Sequence, residues 1–176
     1  MSNHENTNTP KGPPPDPLTR AERTEYRETS LHSDVLEFIR QLGTRTNRVR
    51  VESMGRSAKG QEMPVLVLGA TSPEEARARR KPIVMTIANI HAGEVEGKEV
   101  LLMLARDMTV GSLGAWLEKI CLVLVPNYNP DGNDAISKEN RRLDLVNLEG
   151  QIGPEGGVGT RVTGEGINLN RDYMKL

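Results

Sequence analysis

The chain has 176 residues, 36% of them hydrophobic and 27% charged, a balance ordinary for one soluble globular domain. Its 23 Lys and Arg against 24 Asp and Glu leave a formal net charge of −1, so no overall field gathers nucleic acid or an anionic membrane, and neither is expected as a partner. A single cysteine excludes an intrachain disulfide, and no apolar run is long enough to be a secretory signal or a bilayer span. As written the chain is expected in the cytoplasm, unless a misassigned start conceals export.

Residues 1–20 carry Pro10, Pro13, Pro14, Pro15 and Pro17 with little to bury, and are expected to be a disordered tail ahead of one domain over 21–176. Ser33 or Asp34 can cap a helix with Val35, Leu36, Phe38, Ile39 and Leu42 on one face and Gly43 as its stop. Residues 49–52 alternate as a strand, 55–60 are turn-like, and 63–68 read as a second strand; the two fit a hairpin at a sheet edge, where Pro64 is tolerated. A charged connector with Arg77, Arg79, Arg80 and Lys81 reads as a solvated loop face. Residues 83–90 then form a continuous apolar strand, 97–108 show helical spacing, and 120–125 are apolar at every position, with Cys121 as a small core residue. A strand without polar positions needs cover on both faces, which predicts an α/β fold: three α/β/α layers around a mixed, mostly parallel sheet. Seven glycines between Gly150 and Gly166 predict a long ordered loop over a site.

Three segments can converge at the carboxyl end of such a sheet, where open α/β folds bind ligands. They are His91-Ala92-Gly93-Glu94, Asn129-Pro130-Asp131-Gly132, and Gly166-Ile167-Asn168-Leu169-Asn170-Arg171. An imidazole and a carboxylate three residues apart at a strand exit make half of a catalytic zinc site, which typically takes three protein ligands and a water. The Asn-Pro-Asp-Gly stretch reads as a turn in which Asp131 bonds its own backbone.

In order and spacing the three segments resemble the zinc carboxypeptidase family of the carboxypeptidase A type, over roughly residues 22–176. The resemblance implies that His91 and Glu94 ligate Zn2+ and that Asn170 and Arg171 hold the terminal carboxylate of a peptide substrate. A planar guanidinium suits that task, because it donates two parallel charge-assisted hydrogen bonds. It also implies that Arg161 stabilises the carbonyl oxyanion, a role that Arg141 or Arg142 takes in another branch. Asn168 stands where the family often has aspartate, and Asp172 where it often has asparagine.

The implied activity is removal of a C-terminal residue, with the third zinc ligand, a histidine, and the glutamate base expected downstream of Leu176. On that expectation the chain holds the N-terminal half of a catalytic domain and is inactive alone, since the base contributes about 10²–10⁴-fold. Two alternatives remain at this point. One is a zinc-dependent deacylase of N-acyl amino acids, against which the Asn-Pro-Asp-Gly turn argues; the other is a non-catalytic binder of carboxylate-terminated peptides.

Overall fold

The computed structural model describes residues 16–141, 143–148, 150 and 152–172. Of the expected tail, 1–15 lie outside these, whereas 16–20 pack onto the body. Pro17 and Thr19 are buried, and Arg106 donates to the Pro17 carbonyl at 3.1 Å. Thr19 caps the short helix α1 (Arg20–Arg23) by a reciprocal exchange with Glu22 that satisfies both residues' amides.

Helix α2 (His32–Gly43) carries the predicted apolar face but starts slightly earlier, because the Asp34 carboxylate reaches back to the Leu31 amide at 2.9 Å rather than capping from outside. Strands β1 (Val49–Arg56) and β2 (Glu62–Leu68) form the expected antiparallel hairpin. The charged connector contains helix α3 (Pro73–Ala78), capped by the Ser72 hydroxyl. Lys81 departs from the solvated reading: it is buried, and its ammonium donates to the Gly69 and Leu117 carbonyls. Strand β3 (Ile83–Ile87), helix α4 (Glu96–Thr109), a 3₁₀ turn (Gly114–Glu118) and strand β4 (Cys121–Val125) complete the crossover unit, and Pro130–Asp134 forms helix α5.

The sheet order is β1-β2-β4-β3. The fold is α/β with a mixed sheet, but the expected parallel majority is corrected within these four strands: β1/β2 and β2/β4 are antiparallel and only β3/β4 is parallel. The hairpin accounts for the β1/β2 pair, since a short connection can join only antiparallel neighbours. Strand β2 lies inside the sheet rather than at its edge, and Pro64 is accommodated ahead of the stretch Leu66 to Leu68 that pairs with β4.

Strand β4, flanked on both sides, is as buried as its sequence predicts. Leu122 and Leu124 join Leu66, Leu68, the α2 face and Leu101, Leu102, Ala105 and Met108 of α4 in one core, each large side chain contributing roughly 1.5–3 kcal/mol. Strand β3 is not buried as expected, with Ile83, Val84 and Met85 41%, 44% and 57% exposed, because it is the outer strand of the described sheet. Helices α2 and α4 share the core face. No helix among the described residues is long and apolar enough to cross a membrane.

Candidate metal centre

Strands β3 and β4 run parallel, so both exits lie at one end, and the ladder continues past them through Ala88 N to Val125 O (2.9 Å) and Tyr128 N to Ala88 O (3.1 Å). Asn89 then turns the chain out of the sheet with φ 62°, a left-handed conformation that asparagine tolerates better than most residues. The next residues close a turn in which Glu94 N donates to His91 O at 2.9 Å. That turn folds the two predicted ligands together: His91 Nδ1 lies 3.1 Å from Glu94 Oε1, with His91 buried and Glu94 exposed.

The other ring nitrogen, Nε2, lies 3.1 Å from Asn168 Oδ1, and the same oxygen accepts from the Asn170 amide at 3.1 Å. An oxygen that accepts from an amide must also accept from Nε2, so a neutral His91 ring carries its proton there and turns the Nδ1 lone pair toward Glu94. With the ring in that form, two acceptors face each other at a distance that a cation can bridge. Zinc bonds of about 2.0–2.2 Å at a tetrahedral angle put neighbouring donor atoms roughly 3.3 Å apart, so the pair fits an edge of that polyhedron. A second ring nitrogen fixed by an outer partner is the usual support for a ligating histidine. Among the described residues no third His, Cys, Asp or Glu joins the pair.

The remaining predicted residues divide. Asn170 and Arg171 follow Asn168 on a 3₁₀ turn (Leu169–Arg171), both exposed, so the segment that orients His91 also presents the guanidinium. Arg161 is exposed on the preceding loop. Arg141 instead comes to Glu94, with Nη1 3.0 Å from Oε1, and Arg142 lies outside the described residues. Cys121 is buried with its thiol pKa pushed up by burial, in keeping with a core role.

The Asn-Pro-Asp-Gly segment is helical and does more than turn. Asn129 caps α5 by accepting from Gly132 N, and its amide donates to Ile90 O at 3.4 Å and Val162 O at 3.1 Å, tying the His91 exit to the Arg161 loop. Asp131 does not bond its own turn: it accepts from Ser57 Oγ (2.6 Å) and Lys59 N (3.1 Å), latching the β1–β2 hairpin.

Behind the turn lies a buried polar network that sequence reasoning missed. Asn89 Nδ2 donates to Asn127 Oδ1 at 2.7 Å and Asn133 Oδ1 at 3.0 Å; Asn127 Nδ2 reaches His32 Nδ1 at 3.1 Å, and His32 Nε2 reaches Glu62 O at 2.8 Å. Burial pushes the His32 pKa down, which suits a neutral ring that accepts at Nδ1 and donates at Nε2. Lys98, fully buried, donates to Asn133 Oδ1 at 2.6 Å and to Ser30 O, while Glu99 accepts from Thr29 and Ser30. Burial lowers the Lys98 pKa to about 8. The one available signal was the recurrence of asparagine at both strand exits, at 89, 127, 129 and 133.

A profile of the zinc carboxypeptidase family matches residues 35–176. Carboxypeptidase D of Drosophila melanogaster is 30% identical over 132 residues, covering 72% of this chain and 8% of that protein. Human carboxypeptidase Z is 28% identical over 152 residues, 82% of this chain and 21% of its own length. Among solved structures, a metallo-carboxypeptidase from Burkholderia cenocepacia superposes with a TM-score of 0.54 at 23% identity, over 82% of this chain and 32% of that one. Carboxypeptidase A from Helicoverpa armigera gives 0.53 at 22%, over 61% and 26%. The chain thus spans a third or less of each of these relatives. With the family profile running through His91, Glu94 and the Asn170-Arg171 segment, the chain belongs to the zinc carboxypeptidase family.

Proposed function

We propose that this chain supplies two metal ligands and the substrate anchor of a zinc-dependent carboxypeptidase that hydrolyses the C-terminal peptide bond of peptides. The observation that carries the reading is the His91 Nδ1 and Glu94 Oε1 pair at 3.1 Å, oriented by an asparagine two residues ahead of Asn170. The bound metal would lower the pKa of a water and polarise the scissile carbonyl. Arg171 donates a bidentate pair to the free carboxylate, and Asn170 adds an amide donor beside it. Asn168 holds the His91 ring against rotation. Arg161 takes the role of polarising the carbonyl oxygen; the Asn129 bridge between residues 90 and 162 supports its placement near the site. In this reading the third protein ligand and the general base come from chain outside these 176 residues, which alone turn over peptide slowly or not at all.

The test uses a protein that also carries a downstream histidine and glutamate. Glu94→Ala is expected to abolish peptidase activity and lower zinc occupancy, and retained activity refutes the ligand assignment. Peptide binding without turnover by the unaltered protein would favour a non-catalytic binding module.

A further inference from the structure

Arg141 is placed by three unusual features that meet at Glu94. Its backbone is left-handed, with φ 52°, a conformation costing a non-glycine residue roughly 1–3 kcal/mol. Its Nε is buried without a hydrogen-bond partner among the described residues, although its Nη1 contacts Glu94 Oε1 at 3.0 Å. Its stem crosses residue 93 so closely that a Cβ there would lie 2.1 Å from Arg141 Cδ and 3.0 Å from the Gly159 carbonyl oxygen, so a side chain at 93 must displace the stem. Backbone strain and an unpaired buried donor are both tolerated to bring one guanidinium to one oxygen, and that oxygen is the one facing His91 Nδ1.

We propose that Arg141 is a positioning residue that acts as a cationic placeholder: it neutralises Glu94 beside His91 and competes with the divalent cation for that carboxylate. The inference rests on the reading of His91 and Glu94 as ligands. A zinc ion bonded to Oε1 would stand within a few ångströms of the guanidinium, and the partly exposed repulsion between them weakens binding by roughly tenfold. Arg141 must swing off Oε1 as the metal arrives, and Gly93 gives its stem the room to do so.

The 176-residue chain is titrated with Zn2+ alone at low salt while His91 ring signals are followed by NMR. Arg141→Gln is expected to tighten the apparent zinc Kd by about tenfold, and Arg141→Lys, which keeps the charge, by less. Gly93→Ala, whose Cβ displaces the arginine stem, is expected to reproduce the Arg141→Gln affinity, and to add nothing when combined with Arg141→Ala, which removes the stem. A purely structural role for Gly93 would give additive effects instead. If Arg141→Gln weakens zinc binding or leaves it unchanged, or if Gly93→Ala acts equally in both backgrounds, the placeholder is refuted while the metal site stands. If His91→Ala leaves zinc binding intact, the metal reading itself fails, and the two failures are thereby distinguished.

Discussion

Replacing Asn89 by alanine is expected to destabilise the protein more than replacing it by glycine, although glycine removes more of the side chain. Asn89 is buried, has φ 62°, and donates to Asn127 Oδ1 and Asn133 Oδ1. Either substitution deletes both hydrogen bonds, at about 0.5–1.5 kcal/mol each. Asn133 Oδ1 keeps Lys98 as a donor, whereas Asn127 Oδ1 loses the donor it has here. That new orphan is offset by the removal of Asn89 Oδ1, itself buried without a partner among the described residues. What separates the variants is the backbone: alanine meets a left-handed cost of about 1–2 kcal/mol that glycine escapes. Asn89→Ala should therefore cost about 2–4 kcal/mol and Asn89→Gly about 1 kcal/mol less, read from urea unfolding followed by circular dichroism. Equal losses for the two variants, or a loss below about 0.5 kcal/mol for alanine, would refute the claim that this network sets the backbone two residues ahead of His91.

The same network predicts two pH dependences. Burial holds the His32 pKa below 6.5, so the unfolded chain binds more protons as pH falls through that value, and stability present above it is lost on acidification. Urea midpoints should fall below pH 6.5 less steeply in His32→Gln, and an unchanged slope would contradict the assignment. For Lys98, depressed from 10.5 to about 8, the unfolded chain binds the extra proton between those values, so stability should rise across that window by up to about 3 kcal/mol relative to Lys98→Met. A wild-type curve parallel to that of Lys98→Met would show that the ammonium is not desolvated as described.

That His91 and Glu94 meet was legible in the sequence because the geometry is local: a strand exit followed by a three-residue spacing closes by one backbone hydrogen bond, from Glu94 N to His91 O. Strand β4 was legible for a similar reason, since an unbroken apolar run must be covered on both faces. Strand β3 has the same kind of sequence and yet is exposed, because burial depends on its place at the outer side of the described sheet, which no local pattern encodes. Lys81 and Lys98 carry ordinary surface residue types and become buried donors only where distant carbonyls converge on them. The asparagine network spans His32 to Asn133, and nothing in spacing reveals which amides meet. Arg161 was the candidate for the oxyanion role with Arg141 or Arg142 as the alternative, and that Arg141 reaches Glu94 across a bare Gly93 is nothing that spacing reveals.

The central claim is that one ring nitrogen of His91, Nδ1, shares a divalent cation with Glu94. Nitrogen NMR of the His91 imidazole during zinc addition tests it most directly. The account predicts a large shift at Nδ1, a proton retained on Nε2 by Asn168, and loss of the Nδ1 response in Glu94→Ala. A response at Nε2 instead, or an Nδ1 response indifferent to Glu94→Ala, would contradict it.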